Sequence, residues 1–70
     1  MMKLMSELKP NDGFRDTLTG HVWRILAIRV AGASEHTELD MRHPITGNTH
    51  VWYVFELMDD VRRGKLAEVV

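Results

Sequence analysis

The sequence predicts a mainly β domain of the β-rich α+β kind: a small antiparallel β-barrel of about five strands with one short helix near residues 55–63. Three observations carry this. Short runs rich in β-branched and aromatic residues alternate with clusters of Gly, Pro, Asn and Asp. The connections between them are too short for parallel crossovers, which need about a dozen residues or more. The hydrophobic period of the strands then changes from two to the helical value after residue 54.

Residues 1–9 place Met1, Leu4, Met5 and Leu8 at helical spacing. The stretch is too short to hold as an isolated helix, so it reads as a docked turn or a tail. Pro10, Asn11, Asp12 and Gly13 are four consecutive turn formers, and the compact body is expected from residue 13, giving a tail over 1–12 and one domain over 13–70. A short strand over 14–16 and a turn over 17–20 follow. The strongest β signal is HVWRILAIRVA at 21–31, which lacks Gly and Pro. Trp23, Ile25, Ala27 and Arg29 fall on one face, and Val22, Arg24, Leu26, Ile28 and Val30 on the other. Apolar residues on both faces require a strand covered on both sides, or one that bends and changes its buried face.

After a turn at 32–35, residues 36–43 alternate cleanly. Thr37, Leu39 and Met41 form the apolar face, and His36, Glu38, Asp40 and Arg42 the polar one. A hairpin loop at 44–48 leads to a strand over 49–54, where Val51 and Tyr53 oppose His50, Trp52 and Val54. Leu57, Met58 and Val61 then make one helical stripe. Glu56, Asp59 and Asp60 lie toward its start and Arg62 and Arg63 at its end, the order the helix dipole favours, and Gly64 suits a left-handed cap. A last strand over 65–70 brings Leu66 inward.

Five short strands on so few residues expose their edges unless the sheet curls. The order of short strand, long bending strand, two strands, one helical turn and a short strand resembles the SH3-like small β-barrel. The segment GHVWRILAI at 20–28 is similar to the opening strand of short bacterial and phage barrel proteins. This resemblance spans residues 13–70 and implies a fold shared by adaptors, Tudor- and chromo-type readers and nucleic-acid-handling proteins, so it does not choose a function. The competing arrangement is an open sheet covered by the two helical segments or by a second subunit.

At 70 residues the chain buries about 60% of the surface its unfolded form exposes. A core of that size yields a net stability of about 3–5 kcal/mol, and small domains commonly add a disulfide, a metal or a partner. There is no Cys, which excludes disulfides, thiolate metal sites and a cysteine nucleophile. A protein partner or self-association, as a homodimer, is therefore expected. No apolar run is long enough to span a membrane as a helix, and the start does not read as a secretory signal, so the cytoplasm is the expected location.

No catalytic constellation is legible, and no enzyme, cofactor or metal is expected. His21, His36, His43 and His50 are at least seven residues apart in sequence, whereas zinc sites usually contain a closer pair. His43 and His50 flank one hairpin and can approach each other. Asp59 and Asp60 adjoin on a helix and cannot converge for shared-proton chemistry. Ser6 and Ser34 lack a neighbouring base, and there is no nucleophile elbow or phosphate loop.

The expected function is a small non-enzymatic module that docks on a protein partner or on itself. The contact surface expected is Trp52 with His50, Arg42 and the hairpin residues Thr46, Gly47 and Asn48, bordered by His36, Glu38 and Asp40. Trp23 and Trp52 are expected to contribute to the core, and Phe14, Tyr53 and Phe55 are expected to be drawn into it. The alternative is nucleic-acid binding through Arg24, Arg29, Arg62, Arg63 and Lys65, helped by Trp23, Trp52 and Tyr53. Against it, nine Lys+Arg and ten Asp+Glu leave a net charge of −1, a weak footprint for a polyanion. A phage or mobile-element inhibitor that blocks a host protein is a third reading, with the same kind of surface.

Overall fold

The computed structural model describes residues 8–30 and 36–69. Residues 1–7 of the expected helical stretch over 1–9, the turn at 32–35 and the terminal Val70 lie outside them. The elements run β1 (Gly13–Asp16), β2 (Val22–Arg29), β3 (Glu38–Arg42), β4 (Thr49–Tyr53), α1 (Val54–Arg62) and β5 (Leu66–Val69). They form one five-stranded sheet in the order β4-β3-β2-β1-β5, antiparallel at every pairing. The protein is mainly β, with one short helix among the described residues. β1 to β4 make a meander, and α1 carries the chain from the β4 edge to the β5 edge.

The two apolar faces of β2 are explained by a bulge. Ile25 pairs with Met41 and Ala27 with Asp40, so Leu26 is the extra residue. Before the bulge Trp23 and Ile25 face inward; after it, Ile28 does, opposite Leu39. Leu26 is left 46% exposed. The strand therefore bends and changes its buried face, and needs no cover on its other side.

Inside the curve, Phe14, Ile25, Leu39, Met41, Val54, Leu57 and Leu66 form the buried core, with Trp23, Ile28, Trp52, Met58 and Val61 packed against it. Leu8 is buried in the same cluster, and the Asn11 amide donates to the Ile25 carbonyl at 2.7 Å. The segment before β1 is thus tied to the sheet. Thr37, Leu39 and Met41 are buried, as the alternation of β3 requires.

The helix start is fixed by Glu56, whose carboxylate accepts the Tyr53 amide at 3.0 Å. Because α1 opens at Val54, Asp59 and Asp60 fall in its second half rather than near its start, and their place is explained by ion pairing below. At the other end the Lys65 amide donates to the Asp60 carbonyl and the Gly64 amide to that of Val61. This Schellman arrangement needs a left-handed residue, and Gly64 has φ +79°. Thr17 Oγ1 donates to the Gly64 carbonyl at 2.7 Å, joining the β1–β2 turn to the helix end.

Candidate functional site

β4 closes the sheet order at one end, with β3 its single strand neighbour among the described residues. Thr49, His50, Val51 and Tyr53 are exposed and Trp52 is half-buried. A sheet edge of this kind presents unpaired backbone N–H and C=O groups. On its outer face Val51 is 57% and Tyr53 40% exposed, and the Tyr53 ring stacks on Phe55, itself 49% exposed, at 5.6 Å and 11°. Tyr53 and Phe55 thus lie outside the core that was expected to take them. The apolar strip they form with Val51 runs along the edge onto the first turn of α1.

The inner side of the same edge carries a second ring cluster. Trp23 and Trp52 lie 4.7 Å apart between centroids, although β3 separates their strands. Two strand spacings are about 10 Å, so the contact reflects the inward curl of the sheet. His43 and His50 meet the edge or face of Trp23 at 4.8 and 5.4 Å, and each other at 5.2 Å. The approach of the two histidines follows from the hairpin that joins them.

That hairpin is organised by His43. Its Nδ1 accepts the amides of Ile45 and Thr46, each at 3.2 Å, as an Asx side chain does in a turn. An accepting Nδ1 puts the proton of the neutral ring on Nε2. The Gly47 amide reaches the His43 carbonyl at 3.0 Å with φ +75°, and the Asn48 amide donates to Thr46 Oγ1 at 3.2 Å.

Of the expected contact residues, His50 and Trp52 share the inner face, and Thr46 and Asn48 sit on the exposed hairpin. Arg42 does not join them. It lies on the outer face, opposite Arg24 on β2 and Thr49 on β4, with its guanidinium beside Gly47.

The five cations of the nucleic-acid alternative do not converge. Arg29 bridges Glu38 at 3.0 Å and Asp40, and this contact holds the Asp40 carboxyl below its ordinary range. Arg62 and Arg63 both pair with Asp59, whose carboxyl is likewise lowered, mainly by its hydrogen bond from Arg62. Arg24 Nη1 donates to the Asn11 carbonyl at 3.0 Å. Lys65 is exposed beyond the helix end.

Among the described residues no group of three His, Cys, Asp or Glu could hold a metal ion, and no helix is long and apolar enough to cross a membrane. An open groove of about 550 Å³ runs along α1 past Phe55, Met58 and Asp59. Comparison with family models, curated proteins and solved structures returned no match.

Sequence reasoning missed the Tyr53–Phe55 stack, though its signals were present. Tyr53 alternates away from Trp52, and Phe55 stands off the Leu57-Met58-Val61 stripe. The pairing of Arg29 with Glu38 and Asp40 had no local signal, because only the β2–β3 register brings them together.

Proposed function

We propose that the protein is a non-enzymatic binding module of the SH3-like small-barrel type that acts through protein–protein contact along β4 and its hairpin. The SH3-like reading is supported by the meander β1 to β4, the bulged second strand, and the helix that returns the chain to β5 beside β1. The observation that carries the binding reading is the edge of β4, which has no second strand neighbour among the described residues and is lined on its outer face by Val51, Tyr53 and Phe55. A partner strand added there would gain backbone hydrogen bonds from β4 and specificity from alternate side chains. His50, Thr46 and Asn48 border that edge, and Trp52 lies at its inner rim.

The partner is another protein or a second copy of this chain. A second copy would lengthen the sheet across β4 and add apolar burial to a small core. The test is Val51→Lys, a charge placed on an exposed edge position where natural sheets use lysine to block pairing. Leu18→Lys, at a turn residue that is 93% exposed, is the control. Both variants are expected to keep the wild-type circular dichroism spectrum. The reading requires Val51→Lys alone to lose partners captured by the wild type, or its concentration-dependent association in sedimentation. If Val51→Lys stays folded and retains every such contact, the β4 reading fails.

A further inference from the structure

The outer face of the sheet carries three arginines that the β4 reading does not use. Arg24 on β2 stands directly opposite Arg42 on β3, and Arg15 on β1 is diagonal to Arg24. Like charges directly opposite in a sheet are destabilising. Several carboxylates of the sheet and its turns are engaged elsewhere: Glu38 and Asp40 with Arg29, Asp16 with the amides of Leu18 and Thr19, and Asp12 with the amide of Lys9. Among the described residues, no ion pair links Arg15, Arg24 or Arg42 to a carboxylate.

The guanidiniums of Arg24 and Arg42 are each placed by a neighbour. Arg24 Nη1 is held by the Asn11 carbonyl and lies over Gly13, where a Cβ would come within 3.0 Å of it. The Arg42 guanidinium lies alongside Gly47, 3.9 Å from where a Cβ would stand. Both residues line a cleft of about 160 Å³, together with Val22 and Pro44. Liquid water takes about 30 Å³ per molecule, so the cleft has room for a tetrahedral oxyanion.

We propose that this cleft is a phosphate-binding site in which Arg24 and Arg42 donate to the phosphate oxygens and Arg15 adds charge beside them. Guanidinium forks match phosphate geometry and remain charged at every physiological pH. The bound anion removes the repulsion between the two arginines. The ligand presents a single terminal phosphate, as inorganic phosphate or a small phosphate ester does. A polynucleotide is disfavoured because the sheet next presents Asp40 and then Glu38, two carboxylates against the one Arg29.

The test is a titration of inorganic phosphate into the ¹⁵N-labelled protein, with chloride at equal ionic strength as the reference. Saturable shifts are expected at the amides of Val22, Arg24 and Arg42 and at the side-chain N–H groups of Arg24 and Arg42. Arg42→Gln is expected to weaken phosphate by about tenfold or more, since it removes charge-assisted hydrogen bonds. Arg42→Lys, which keeps the charge but not the fork, is expected to fall between. The proposal is overturned if phosphate gives no more than the chloride response, or if folded Arg42→Gln titrates like the wild type. It is also overturned in favour of a nucleic-acid track if a single-stranded twelve-nucleotide DNA binds the same arginines with a salt dependence showing release of several counterions. Because none of the probed residues lies on β4, failure here leaves the β4 reading standing.

Discussion

Replacing His43 by alanine tests whether a single imidazole organises the β3–β4 hairpin. Its Nδ1 accepts two backbone amides, from Ile45 and Thr46, at 3.2 Å each. A net hydrogen bond contributes about 0.5–1.5 kcal/mol, and at this length the lower half of that range applies, giving about 1–2 kcal/mol for the pair. The ring also meets Trp23 edge to face at 4.8 Å, a contact worth about 0.5–1.5 kcal/mol. His43→Ala should therefore cost about 2 kcal/mol, roughly half the stability of a domain this small. Urea unfolding followed by the fluorescence of Trp23 and Trp52 reads that loss as a lower midpoint at unchanged slope. Two companions separate the causes. His43→Asn keeps a side-chain acceptor for the turn amides and should recover part of the loss, whereas His43→Phe keeps the ring contact and should recover the other part. A His43→Ala variant within about 0.5 kcal/mol of the wild type, or a His43→Asn variant no better than alanine, would refute the capping role.

Two other perturbations follow from the same geometry. Gly64→Ala forces a Cβ into a left-handed position at φ +79° and should cost about 1–2 kcal/mol, measured by the same unfolding curve; no loss would mean the helix does not end in the Schellman arrangement. The Asp40 and Asp59 carboxyls are lowered in the folded state by their arginine partners, so the unfolded chain takes up protons first as pH falls. Their stabilisation is present above the ordinary carboxylate pKa of about 4 and is lost as pH drops through the lower folded values. Arg29→Gln should shrink that acid-side loss in a pH series of unfolding curves, and an unchanged series would refute the Arg29–Asp40 contribution.

Much of the architecture was legible because it is written in local patterns. The clean alternation of β3 names its buried face, and Gly64 marks the helix end through a conformation other residues resist. The length of β2 was legible, but its two apolar faces were not resolvable until the pairing with β3 placed the extra residue at Leu26. The candidate site was less legible. That His43 and His50 approach each other follows from the hairpin, but their joint contact with Trp23 depends on the curl of the sheet across β3. Arg42 was expected in the contact surface around Trp52; strand alternation puts it on the other face. Which charges are free is a property of register, so Arg29 could not be separated from Arg24 by inspection of the chain.

The most direct measurement of the central claim is amide hydrogen exchange along β4, compared between dilute and concentrated protein and with and without a captured partner. Binding at the β4 edge predicts that slowed exchange is confined to β4 and its hairpin, with the α1 groove unchanged. Protection that develops along α1 while the β4 amides exchange as before would contradict it.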